Sequence, residues 1–190
     1  MVLGTYYLTM DNNQAQGAGM ILRNINEAVS AYQRGTAELH ARVAIPVRAL
    51  NKTSFTEKQQ DAMLITTVGR IIFNEIFPAS FPYINDATRA NLFDGVAEDF
   101  FIYEKGENVT DRIMNAPQTK GIGKEYLGDI IGRCFEVYQT TQTSMILDEI
   151  KQLGFTYSTR SGVTVAVSDV VVPPEKKALM EESDKKVSVI

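Results

Sequence analysis

Between Tyr126 and Tyr138, seven residues constrain this fold more than any other stretch of the chain. Tyr126, Leu127, Ile130, Ile131, Cys134, Phe135 and Tyr138 recur at steps of one, three and four, which lays them along one face of an α-helix. A stripe that wide must be covered by other parts of the molecule, so the chain is a packed globular protein. The polar run 139–143 reads as a break that caps a second helix, with Met145, Ile146, Ile150 and Leu153 facing inward and Gly154 as its expected end. A shorter helix comes earlier: Asn24 stands as N-cap three residues before Glu27, and Gly35 closes it.

Strands complete the pattern. Leu39, Ala41, Val43, Ile45 and Val47 alternate with Glu38, His40 and Arg42, which predicts a strand with one buried and one solvated face, His40 on the latter. A second apolar run, 64–77, begins like a strand at Ile65; from Ile71 the pattern fits either a continued strand or a helix, and Pro78 and Pro82 stop it. Val163, Val165 and Val167 predict one more alternating strand. From Asp86 to Gly121 the periodicity weakens, and the stretch reads as an irregular insertion. After Pro173 and Pro174 a charged helix over 176–190 carries only a thin apolar stripe of Leu179, Met180 and Val187, which needs a partner. The expected fold class is α+β, mixed helices with short antiparallel strands.

At 190 residues with 44% apolar content the chain can bury a core of its own. Its net charge of −4 argues against an independent grip on duplex DNA, because phosphate contacts require a basic excess. The one cysteine, Cys134, lies in the apolar helical stripe and reads as a small buried hydrophobe. The one histidine, His40, cannot complete a zinc site with a cysteine so distant. No stretch approaches the roughly 20 apolar residues of a membrane span, and residues 1–7 lack a basic leader, so the expected location is cytoplasmic.

Chemistry is harder to find. Gly121-Ile122-Gly123-Lys124-Glu125 has the outline of a phosphate loop but lacks its upstream glycine and the Ser or Thr after lysine. It therefore reads first as a flexible entry into the long helix; the alternative, an independent cytosolic domain binding a nucleotide or other small molecule, rests on this loop. Asp148 and Glu149 read as a solvated helix face. The D-x-D-x-D spacing that gathers carboxylates around Mg²⁺ is nowhere in the chain. No catalytic residue and no metal ligand is assigned.

A set of local motifs spreads over nearly the whole length. They are Met1-Val2-Leu3-Gly4-Thr5-Tyr6-Tyr7-Leu8-Thr9, Leu39-His40-Ala41-Arg42-Val43, and Thr66-Thr67-Val68-Gly69-Arg70-Ile71-Ile72-Phe73-Asn74-Glu75. Leu153-Gly154-Phe155-Thr156-Tyr157-Ser158-Thr159-Arg160-Ser161-Gly162 and Val167-Ser168-Asp169-Val170-Val171-Val172-Pro173 follow. In this order the chain resembles an interior piece of the β′ subunit of bacterial DNA-directed RNA polymerase, in its Firmicutes branch.

The resemblance implies a pore domain over 1–172, lining the secondary channel, and the start of the rim-helix (funnel) region over 173–190. It implies a structural segment of a nucleotidyltransferase, with the Mg²⁺-binding aspartates outside this segment, so that the piece is inactive alone and holds no cofactor. The implied partners are β, the rest of β′ and ω, Gre-type cleavage factors entering through the channel, and nucleoside triphosphates in transit. Some relatives bind guanosine tetraphosphate near ω with a Lys, an Asp and a Tyr; this chain keeps Asp148 but has Thr141 and Gln152 at the other two positions, which removes the phosphate-neutralising cation. A conduit for triphosphates draws anions along locally positive walls. Arg70, Lys124 and Arg160 are the candidate channel-lining residues, each expected at the end of an element.

Overall fold

The computed structural model describes residues 1–103, 108–171 and 173–187. Its chain order begins with α1 (Val2–Thr9), β1 (Met20–Ile21), α2 (Ile25–Gln33), β2 (Arg42–Pro46), α3 (Glu57–Gln60), β3 (Met63–Thr67) and α4 (Val68–Asn74). It continues with α5 (Arg89–Asp94), β4 (Phe101–Ile102), α6 (Val109–Asn115), α7 (Lys124–Ser161) and α8 (Lys176–Val187). The class is α+β, as expected.

The four strands run β1-β2-β3-β4 across one sheet. It is mixed rather than purely antiparallel: β1 pairs parallel with β2, whereas β2–β3 and β3–β4 are antiparallel. The register of the central pair sets Val43 opposite Thr66 and Ile45 opposite Leu64. Arg42, Val43, Ala44 and Ile45 are all buried, so the predicted solvated face does not exist. Elements cover both faces of a central strand, and alternation then ceases to separate core from solvent. His40 precedes the strand and is half-buried, its Nε2 donating to the Tyr7 carbonyl at 2.5 Å with the two rings edge-to-face at 4.7 Å.

Two cores result. One lies around the sheet, where Leu22, Val43, Ile45, Leu64, Phe101 and Ile113 meet. The other is helical and gathers Leu8, Phe73, Phe77, Phe81, Leu127, Ile130, Cys134, Ile146 and Ile150. Phe77 stacks on Phe81 at 4.8 Å and receives Phe73 edge-on at 5.3 Å, an arrangement that suits the ring quadrupoles. Tyr32 and Ile72 pack against both cores and join them.

Local chemistry explains most boundaries. Asn24 accepts the Glu27 amide at 2.9 Å and starts α2, while the Glu27 carboxylate reaches back to the Arg23 amide. Thr67 ends β3 and caps α4, accepting the Arg70 amide, so the run after Val68 turns helical. The described residues of the stretch 86–121 are more regular than the sequence suggests: they supply α5, β4 and α6 and bury Phe100 and Phe101.

The long helix meets expectation at its polar break and departs from it on its inward face and at its end. Phe135 and Met145 lie outside the core, 56% and 65% exposed, although both were expected on the inward face. The polar break is a kink at Gln139, whose φ of 58° and ψ of −167° belong to a region that normally admits only glycine. Gly154 does not end the helix; α7 continues to Ser161, where Gly162 at φ 63° supplies the left-handed cap. Gly154 is instead the crossing point with α1. A Cβ on Gly4 would stand 1.8 Å from the Gly154 carbonyl oxygen, so the two backbones touch.

Val163, Val165 and Val167 form no strand. They are exposed, and Val167–Asp169 is a 3₁₀ turn. The last helix exists as α8 with every residue exposed; the end of the expected span, 188–190, lies outside the described residues.

Candidate functional site

The densest polar cluster lies where a strap, the segment 114–121, crosses the start of β2 and the first turn of α4. Asp11, just after α1, accepts from Arg42 Nε at 2.6 Å and Arg42 Nη2 at 2.8 Å, a bidentate pair with side chains only 6% and 2% exposed. The same carboxylate accepts the Thr119 amide at 3.0 Å and the Thr119 hydroxyl at 2.8 Å. Arg42 also donates to the Ala116 carbonyl at 2.7 Å, and Arg70 donates to the Thr119 hydroxyl and the Lys120 carbonyl. Burial alone would raise the Asp11 pKa; the hydrogen bonds from Arg42 and Thr119 outweigh it and hold the carboxyl below its ordinary range. One carboxylate thus fastens the strap to β2, and two buried guanidiniums bind the strap directly.

No local sequence signal joins these residues. Asp11 and Thr119 are separated by 108 positions, and Arg42 read as a solvated strand residue. The one available sign was a cation inside an otherwise apolar strand, since a buried arginine demands an acid.

The three candidate channel residues separate. Lys124 is the first residue of α7 and Arg160 lies in its last turn; both are exposed, and Arg160 rests 5.5 Å from the Tyr157 ring centre. Arg70 is at an element end, in the first turn of α4, but is not accessible. It lies within α4, 2% exposed, with its guanidinium committed to the strap. The fold does not bring the three together on one surface; it sets Lys124 and Arg160 at opposite ends of a 38-residue helix.

The Gly121–Lys124 loop is not built as a phosphate cradle. The Ile122 amide donates to Thr9 Oγ1 at 2.9 Å, and a Cβ on Gly121 would press on the Tyr6 ring at 3.0 Å, so the loop serves to dock α7 on α1. Asp148 pairs with Lys151 at 2.5 Å on the exposed side of α7. Among the described residues no three His, Cys, Asp or Glu side chains gather as metal ligands, and no helix is long and apolar enough to cross a membrane. The described residues therefore present no carboxylate cluster of the kind that would hold the Mg²⁺ of a polymerase.

Cys134 and Lys52 also have protonation shifted by burial. Burial pushes the Cys134 thiol up to about 12, leaving it an inert core residue. Burial pushes the Lys52 ammonium down to about 8, opposed by the charge of Glu75; its Nζ donates to the Phe77 carbonyl at 2.8 Å and the Pro78 carbonyl at 3.1 Å, capping the turn after α4.

Comparison with known proteins decides the family. The model of RNA polymerase Rpb1, domain 3, matches residues 1–170. The chain belongs to the RNA polymerase Rpb1 domain 3 family. Its relatives include the DNA-directed RNA polymerase subunit beta′ of Oceanobacillus iheyensis, 46% identical over 190 residues, all of this chain and 16% of that protein. The subunit beta′ of Shouchella clausii is likewise 46% identical over the whole chain, and that of Bacillus pumilus is 48% identical over 98% of it. The chain therefore matches a β′ segment of the Firmicutes type and spans 16% of the length of these relatives. In Rpb1 domain 3 terms, the strap, the sheet and both cores all lie within the matched residues.

Proposed function

We propose that this chain is a structural segment of a DNA-directed RNA polymerase β′ subunit that walls the secondary channel, through which nucleoside triphosphates enter and cleavage factors of the Gre type reach the active site. The observation that carries the reading is the match of residues 1–170 to Rpb1 domain 3, in a chain whose described carboxylates form no metal cluster. Residues 1–172 would be the pore domain and 173–190 the start of the rim helices. Polymerisation with its Mg²⁺ would belong to other parts of the enzyme, in the cytoplasm, with β, the remainder of β′ and ω as partners.

Lys124 and Arg160 are the residues proposed to face the channel, because both are exposed cations at the two ends of the kinked helix α7. Arg70 is not carried forward, since its guanidinium is internal. In the complete polymerase, Lys124→Glu raises the apparent KM for nucleotides and leaves subunit assembly intact. Unchanged nucleotide dependence, or a defect confined to assembly, removes Lys124 from the channel wall.

A further inference from the structure

Beneath the strap, behind the Asp11–Arg42 pair, an internal cavity of about 10 Å³ opens between Arg70, Asn85, Thr66 and Thr67. Its volume is close to that of one water centre, too small for a phosphate or any organic group. Asn85 is 1% exposed, and its amide orientation is fixed from one side: Nδ2 donates to the Ile65 carbonyl at 3.1 Å. Turning the amide over would set its oxygen against that carbonyl. Asn85 Oδ1 is therefore an acceptor, and among the described residues it has no hydrogen-bond partner. An orphaned buried acceptor costs about 1–3 kcal/mol, so such atoms are nearly always satisfied.

We propose that this cavity is a binding site for one ordered water, which donates to Asn85 Oδ1 and accepts from the Arg70 guanidinium. The ligand is a neutral donor rather than an anion. A halide would find the two arginines attractive, yet it would face the negative end of the Asn85 amide and the Asp11 carboxylate, and it cannot donate. A cation is excluded by Arg42 and Arg70 themselves. Water alone can donate to one wall and accept from the other. Thr66 and Thr67 line the same cavity, with the Thr66 hydroxyl already paired to the Tyr83 hydroxyl at 3.0 Å and the Thr67 hydroxyl accepting the Arg70 amide. The water then joins Asn85, on the segment before α5, to Arg70, which already holds Thr119 and the Lys120 carbonyl. It extends the clamp from the strap to Asn85, which holds the Ile65 carbonyl of β3.

A crystal structure of the chain at a resolution that reveals ordered solvent tests this. The expected result is one water peak within hydrogen-bond distance of both Asn85 Oδ1 and the Arg70 guanidinium. A cavity without density, an Asn85 oxygen bonded to a protein donor, or an anomalous peak there after bromide soaking would overturn the proposal. In solution, ¹⁷O magnetic relaxation dispersion counts long-lived internal waters, and Asn85→Leu is expected to lower the count by one. An unchanged count in the folded variant contradicts the assignment, and the wild-type crystal decides the matter whether or not the variant folds.

Discussion

Residues 1–161 and the segment 163–187 spend their apolar side chains in opposite ways. In the first, Val43, Ile45, Leu64, Phe73 and Ile150 are all buried, because the elements that carry them lend a face to one of two cores. In the second, Val165, Val167, Val171 and Leu179 are exposed, from 61% upward. Composition does not distinguish the two; the availability of a second surface does. A valine run becomes a strand only where another strand offers its edge, and a helix as short as α8 gains little stability in water without a packed face. The regular geometry of α8 rests on local pairing such as Lys186 with Glu182 at 2.7 Å, which contributes a few tenths of a kcal/mol.

If that contrast is correct, damage to the first region should be large and damage to the second nearly silent. Asp11→Ala should have the greatest effect. It leaves Arg42 buried without its acid and releases Thr119, and denaturant unfolding should show a loss of about 3–5 kcal/mol, the usual cost of breaking a buried pair. The same carboxylate predicts acid sensitivity. Its folded pKa lies below its ordinary 3.8, so its contribution is complete above that value and is lost as pH falls through the folded one. Asp11→Asn should remove this acid step.

Gly4→Ala comes next. The new methyl meets the Gly154 carbonyl and forces α1 away from α7, at about 1–3 kcal/mol for overpacking. A full loss of the helical core would mean that the crossing is less tolerant than this; no loss would mean that α1 is not seated there. Lys52 then offers a second pH test, in an alkaline window. Its folded pKa of about 8 lies below the ordinary 10.5, so the unfolded chain binds more protons between these values and stability rises with pH across that window. Wild type should show this rise and Lys52→Met should lack that part of it.

Gln139→Gly should stabilise by about 1 kcal/mol, relieving a backbone conformation that costs of order 1–3 kcal/mol for a side chain, less the entropy of the added glycine. Leu179→Ser should change stability by less than about 0.5 kcal/mol, as expected for an exposed position. A substantial loss at Leu179 would place α8 within the cooperative unit and erase the contrast.

The sequence disclosed elements with a strong local period or cap and failed where tertiary contacts overrode them. The apolar stripe from Tyr126, the Asn24 cap and the buried Cys134 were legible because each depends on near neighbours. The alternation around Val43 misled because a strand covered on both faces needs no solvated side, so Arg42 and His40 were misread as surface groups. Gly154 fits a helix terminus as well as it fits a helix crossing; only the presence of Gly4 opposite it distinguishes them. Of the candidate site, Lys124 and Arg160 were legible as element ends, whereas the burial of Arg70 depends on a strap some 50 residues away that the sequence left irregular.

Hydrogen exchange followed residue by residue tests the central claim most directly, that residues 1–161 form a self-sufficient unit and 163–187 do not. Exchange reports local opening free energies, which span from near zero at exposed segments to the global value in a core. The account predicts slow exchange in β2, β3 and both halves of α7, a local increase at the Gln139 kink, and rapid exchange throughout 163–187. Protection of α8 comparable to that of α7, or uniformly fast exchange along the chain, would contradict it.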